Sequence, residues 1–224
     1  MSSATESDPR VLAGTKAHLE DWRGLLAGGA QRVGWKIGFN VPKIQEHLGI
    51  EGSVVGHLTS ASLVDTATSH DLEGTTRPAV EAEIAVEVAA DGSAGALGAA
   101  IEVVDVSLPF DDVEAILGRN VFHRAFVLGP RESTGAPADV EAVISVGGEE
   151  RARATASTDL ADTVRLVADS LAAAGEQLEP GDVILAGSIT APVPVEPGDA
   201  VVVDLGQLGR LTADFTDRTR TEDQ

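Results

Sequence analysis

The sequence predicts an α+β chain, one β-rich domain behind an N-terminal helical lead-in. Three observations lead there. A helical apolar stripe runs from Val11 to Leu26 and stops at Gly28-Gly29. Short Val- and Ile-rich runs, punctuated by Gly, Asp and Ser, fill residues 54–156. One strongly amphipathic helical pattern follows, and the chain then returns to strands. No repeat of solenoid period and no Pro- or Ser-rich linker divides it. Residues 1–8 are expected to be disordered, 9–216 to form a single domain, and 217–224 to be a polar tail.

Each element has a local reason. Ser7 or Asp8 can cap the first helix, with Pro9 suited to its first turn. Val11, Leu12, Leu19, Trp22, Leu25 and Leu26 form its apolar stripe. "RVGWKIGF" reads as a strand, and "VPKIQEHLG" as a short helix closed by Gly49. "RPAVEAEIAVEV" alternates strictly, as does much of the β-rich stretch after it. In "TDLADTVRLVADSLAAAG", Thr158 or Asp159 is the cap, Leu160, Val164, Val167 and Leu171 share a face, and Gly175 is the stop. Pro180-Gly181-Asp182 and Pro197-Gly198-Asp199 are two copies of one turn, of type II by the order Pro then Gly. "DVILAGS", "AVVVDLG" and "RLTADF" are the strands around them.

Composition excludes several classes of function. The 224 residues include no cysteine, so disulfides, thiolate nucleophiles and Cys-based metal sites are out. The formal net charge of −20 disfavours nucleic acid and anionic membrane as partners. No apolar run reaches the length of a membrane span, and "MSSATESDPR" is not a secretory signal, so a cytoplasmic location is expected.

The candidate chemistry begins at "EAE". Glu81 and Glu83 project side by side, roughly 7 Å apart at the Cα. Either they lie on a solvated sheet face, or they belong to a site. A second run, "AIEVVDVS", carries Glu102 and Asp105 among apolar residues, where an unpaired carboxylate is costly. If the two strands pair, Glu81, Glu83 and Glu102 converge. Carboxylates about 4 Å apart repel one another by roughly 4 kcal/mol per pair at an effective dielectric of 20. A hard divalent cation, Mg²⁺ first, with Mn²⁺ or Ca²⁺ as alternatives, relieves that repulsion. Lys36, one of only three lysines, sits in "GWKIGF" between Gly34 and Gly38 on its own face. It reads either as an edge lysine with its head in water or as a site group, with the glycines leaving a slot for a small molecule. In "AGSITAPVPV", Gly187, Ser188 and Thr190 offer backbone N–H groups and hydroxyls suited to a carboxylate. Asn120 and His123 precede an apolar strand in "GRNVFHRAFVLGP".

Taken in order, "GWKIGF", "RPAVEAEIAVEV", "AIEVVDVS", "NVFHRAFVLGP", "VILAGSITAPVPVEPGD" and "DLGQLGRLTADF" resemble the 2-keto-4-pentenoate hydratase and 2-oxohepta-3-ene-1,7-dioate hydratase group of the fumarylacetoacetate hydrolase superfamily. The resemblance spans residues 11–215. It implies a fumarylacetoacetate hydrolase-like mixed β-sandwich roll and a homo-oligomer. It also implies a Mg²⁺ or Mn²⁺ site at Glu81, Glu83 and Glu102. Lys36 and Asp105 match the group's lysine and the acid beside its third ligand; with His123 as the next candidate for the remote proton they are the expected catalytic groups, and Gly187, Ser188, Thr190 and Asn120 the expected substrate-binding ones. The implied reaction is hydration of 2-hydroxypenta-2,4-dienoate-like acids to 4-hydroxy-2-oxo acids in the breakdown of aromatic compounds. Two departures stand out. The group's P-D-F-G-like stretch is replaced by "EGSVVGHL", with Ser53, Val54 and Val55 and no Asp. The helix expected between the ligand strands is reduced to "AADGSAGALGAA". The missing Asp keeps two alternatives open: a decarboxylase of a vinylogous 2-oxo diacid, of the 4-oxalocrotonate type, and a non-catalytic member that binds metal or a 2-oxo acid.

Overall fold

Asp8 starts the first helix, its carboxylate accepting from the amide of Arg10, and Pro9 occupies the first turn of α1 (Pro9–Ala27). The computed structural model describes residues 8–65, 69–132, 139–157 and 159–217. The expectations for residues 1–7, for Thr158 as a cap and for the tail at 218–224 lie outside the described residues. After α1 come β1 (Arg32–Gly38), α2 (Pro42–Leu48) and β2 (Val54–Thr59), then β3 (His70–Asp71), β4 (Pro78–Val88) and β5 (Ala94–Asp105). α3 (Val113–Gly118), β6 (His123–Leu128), β7 (Val140–Val146), β8 (Glu149–Ala156) and α4 (Leu160–Ala173) follow. β9 (Val183–Leu185), β10 (Val193–Pro194), β11 (Ala200–Asp204) and β12 (Arg210–Thr216) complete the described chain. α3 breaks into the stretch read as β; it is a single short turn-and-a-half, capped by Asp112, too brief to show a helical period. Asp159 caps α4 by accepting from the amides of Ala161 and Asp162.

Two mixed sheets result, and the fold is α+β. One has the order β2-β1-β9-β4-β5-β6 with β10 on β4; the other has the order β3-β12-β11-β7-β8. β1–β9 and β3–β12 are parallel pairs, the other pairs antiparallel. β9 is drawn between β1 and β4 by Asp182, which is buried and accepts from Trp35 Nε1 and from Arg32. Val80, Ala82, Ile84 and Val86 of β4 and Leu97, Ala99 and Ile101 of β5 meet Ala142, Ile144, Val201, Val203 and Phe215 of the second sheet in the main core. Full burial of each such Val, Leu or Ile side chain stabilises by about 1.5–3 kcal/mol.

The first sheet also closes on itself. Beyond β2, Leu63 bridges Phe126 of β6, with Phe126 N donating to Ser62 O and Val64 N to Phe126 O. The face turned inward carries Gly56 and Leu58, Lys36, Leu185, Glu83 and Ala85, Ala100 and Glu102, and Phe126, as the registers require. Side-chain alternation therefore separates two buried faces on β4, and the solvated-face reading of its glutamates does not hold: Glu83 is fully buried.

Candidate metal centre

Antiparallel pairing sets Glu81 directly opposite Glu102 and Glu83 opposite Ala100. One carboxylate oxygen from each of Glu81, Glu83 and Glu102 lies within 4.8 Å of the others. Glu83 Oε2 accepts from the Gly187 amide at 2.9 Å, while Glu83 Oε1 is buried with no hydrogen-bond partner. An all-oxygen donor set with an orphaned buried oxygen fits a hard divalent cation. Without a cation, the three acids divide their ionisation. Burial, then Glu102, pushes Glu81 up to about 7, and burial pushes Glu83 well above the ordinary carboxylate range. For Glu102, burial works against the charge, but Lys36 and His123 outweigh it and hold the group down to about 2.

Lys36 is no edge lysine. It is paired on both sides, with Gly56 and Leu185 in register, and only 2% exposed. Its Nζ lies 2.9 Å from Glu102 Oε1 and donates to Val121 O at 2.9 Å. Burial opposes its charge, yet Glu102, Glu81 and Glu83 together raise its pKa, so it stays an ammonium. The slot expected beside it is filled. A Cβ at Gly34 would meet Val183 O at 2.0 Å, and one at Gly38 would meet Val121 Cγ1 at 2.6 Å. Gly34 admits the backbone of Val183 and Gly38 the side chain of Val121, with Gly38 also at the edge of the cavity beside Lys36.

The open space lies elsewhere on the same lysine. A cavity of about 370 Å³ is lined by Lys36 and Glu81, by Asn40, Ser188 and Thr190, and by apolar side chains that include Phe39, Phe110 and Phe122. Lys36 and Glu81 are the charged groups among its described lining residues. Thr190 Oγ1 is buried and unpartnered at its wall.

The other residues singled out above fall into different places. Gly187 spends its N–H on Glu83, not on a ligand. Ser188 Oγ donates to Thr190 O, and Ser188 O accepts from Asn40 Nδ2. Asn120 faces away from the cavity: its Oδ1 accepts from His57 N and its Nδ2 donates to His57 O, clamping β2. Asp105 is engaged by the backbone, accepting from the amides of Thr76 and Arg77, because it stands an odd number of residues from Glu102 at the strand's end. His123 stands behind Glu102, with Nδ1 2.8 Å from Glu102 Oε1 and Nε2 3.0 Å from Ser62 Oγ. It opens onto a different surface depression from the one over Lys36.

Two contributors carried no readable signal. Ser62 reaches His123 only because the sheet closes. Val121 O reaches Lys36 because Asn120, Val121 and Phe122 all adopt left-handed backbone, with φ of 55°, 54° and 66°. A β-branched and a bulky residue rarely do so, and such a conformation is held by its surroundings. Val54, where the resembling group carries Asp, is buried in an apolar cluster with Phe39, Val121 and Phe122.

Comparison with known proteins gives a consistent picture. The fumarylacetoacetate (FAA) hydrolase C-terminal family matches residues 47–216. A 4-oxalocrotonate decarboxylase from a Pseudomonas species is 30% identical over 84% of this chain and 80% of its own. A 2-keto-4-pentenoate hydratase from Paraburkholderia phymatum is 27% identical over 85% of this chain and 80% of its own. Among solved structures, 4-oxalocrotonate decarboxylase from Pseudomonas putida G7, complexed with magnesium and adipate, superposes with a TM-score of 0.79. It is 25% identical and the match covers 88% of this chain and 83% of that one.

Proposed function

The chain belongs to the fumarylacetoacetate hydrolase family, and on that premise we propose that it is a divalent-metal-dependent hydro-lyase acting on 2-hydroxypenta-2,4-dienoate-like acids. Glu81, Glu83 and Glu102 would hold Mg²⁺ or Mn²⁺, with Glu83 Oε1 as the oxygen that lacks any other partner. When bound, the ion supplies Lewis-acid polarisation of the 2-oxygen and neutralises the acid's charge. The product is a 4-hydroxy-2-oxo acid of aromatic catabolism, made by a cytoplasmic homo-oligomer.

The residues of the chain do the rest. Lys36 Nζ reaches the cavity from beside Glu102, so its part is to donate to the oxyanion that develops at the 2-position or to pass a proton there. Thr190 Oγ1 offers a free hydroxyl to the substrate carboxylate. His123 is a positioning residue: it orients Glu102 from behind. Asp105 and Asn120 hold backbone and take no part in the chemistry.

The observation that carries the hydratase reading is the cavity wall. Beyond Lys36 and Glu81, the described lining residues bear no charge to receive the second carboxylate of a diacid. One observation favours the decarboxylase instead: Val54 replaces the acid expected there, and loss of carbon dioxide needs no group to activate water. The test supplies the dienol with Mg²⁺ and follows its ultraviolet absorbance. Loss of absorbance that is abolished by chelator, and slowed about 10²–10³-fold in Lys36→Ala, is expected. Loss that persists unchanged in both would overturn the mechanism. Carbon dioxide release from a 2-oxo diacid, without hydration of the dienoate, would assign the decarboxylase.

A further inference from the structure

We propose that the substrate carries an apolar tail longer than a vinyl group, an aryl ring or an extended alkyl chain, lying against the wall that Phe39, Phe110 and Phe122 form together. The proposal rests on the 2-oxo-acid reading above and names the part of the molecule that reading leaves open. Aromatic side chains are scarce here: the chain has five phenylalanines, two tryptophans and no tyrosine. Three of the five phenylalanines line this one cavity. Phe110 and Phe122 stack at 5.6 Å between centroids, and Phe39 meets Phe110 edge-on at 5.6 Å and Phe122 at 6.3 Å. The wall is continued by Val41, Ile44 and Val106.

This wall comes from elements other than those bearing the charged floor. Lys36 and Glu81 belong to β1 and β4. The aromatic wall comes from the chain leading into α2, from the segment after β5 and from the left-handed turn at Asn120–Phe122. Val41 is 45% exposed, one of few large apolar side chains so open among the described residues. A tail leaving the cavity would cover it.

The volume agrees. A five-carbon dienoate has eight non-hydrogen atoms. Even at the ~30 Å³ that a water molecule takes in the liquid, it fills no more than about 240 Å³. The cavity holds about 370 Å³. An apolar tail in the remainder would take the cavity-facing surface of this wall and of Val41 out of water.

The experiment measures dissociation constants on the Mg²⁺-loaded protein by calorimetry for pyruvate, 2-oxo-4-phenylbutanoate and 2-oxoadipate. The phenyl acid is expected to bind at least about tenfold more tightly than pyruvate, with the diacid no tighter than pyruvate. Phe110→Ala should remove about tenfold of that advantage and leave pyruvate within about twofold. Val41→Arg, at an exposed position on the cavity's rim, should move the preference toward the diacid. Pyruvate binding without a phenyl advantage, tightest binding of the diacid, or equal weakening of all three acids in Phe110→Ala would overturn the tail assignment alone. Failure of all three to bind would overturn the 2-oxo-acid reading, and the tail with it.

Discussion

The two faces of β4 are both buried and have opposite energetic characters. Val80, Ala82, Ile84 and Val86 meet the second sheet in an apolar core. Glu81, Glu83 and Ala85 turn into the closed roll, where two neighbouring carboxylates are driven toward protonation and Glu83 Oε1 has no partner. The first face stabilises the fold; the second costs stability and is worth its cost only when a cation arrives. A polar face that is also buried is thus a stronger pointer to a site than either property alone.

Adjacent residues make the sharpest test. Ile84→Ala should lower stability by about 2–5 kcal/mol in denaturant unfolding while Mg²⁺ affinity changes only a few-fold. Glu83→Gln should do the reverse. Its Mg²⁺ affinity should fall by more than the roughly 10–100-fold typical of changes around a ligand shell. Its metal-free melting temperature should hold or rise, since Gln mimics the protonated acid. A stability loss in Glu83→Gln as large as in Ile84→Ala would erase the distinction between the faces.

Acidity sharpens the same contrast. Glu81 moves from 4.5 to about 7 on folding, and Glu83 moves in the same direction, so between those values the folded, metal-free protein binds more protons than the unfolded chain. The contribution of these two carboxylates to stability should therefore fall as pH rises from 4.5 to about 7, against that of His18 and His57, which burial holds down to about 4 and about 3 and which favour the folded state increasingly as pH rises. Glu102 behaves oppositely: held down to about 2, it contributes stability that is fully present above 4.5 and is lost as pH falls from 4.5 to about 2. Mg²⁺ binding needs the carboxylates ionised, so its affinity should weaken below about 7 and the downward slope should flatten when Mg²⁺ saturates. Urea midpoints taken across this range, with chelator and with Mg²⁺, decide it. With chelator, the stability gained by Glu83→Gln over the unsubstituted chain should grow as pH rises, and a difference that stays constant across the range would contradict the account.

The smallest effect is expected at Asp105. Asp105→Asn should cost about 1 kcal/mol through weaker hydrogen bonds to the amides of Thr76 and Arg77, and change kcat by less than about threefold. A drop of 10²-fold or more in kcat with unchanged stability would return Asp105 to the chemistry.

By itself the sequence determined what depends on near neighbours. Helix starts within a residue of Asp8 and of Asp159, the Gly49 stop and the strand alternation that sets Glu81 beside Glu83 and opposite in face to Val80 and Ala82 are local matters of period and backbone preference. The embedded Glu102 and the rare Lys36 stood out for the same reason: a charge in an apolar run is visible without a fold. Tertiary structure decided what depends on distant pairing. Only the insertion of β9 between β1 and β4 makes Lys36 a central residue, and only the Leu63–Phe126 closure turns a half-exposed sheet into a roll with a polar inside. The left-handed run at Asn120–Phe122 goes against the preferences of Val121 and Phe122, so no local rule announces it. It sends Asn120 to the backbone of β2, Val121 O to Lys36 and Phe122 to the cavity. Direction, unlike face, is set by contacts far apart in the chain, and for that reason Asp105, Asn120 and Gly187 lie near the site while their polar groups are given to the protein itself.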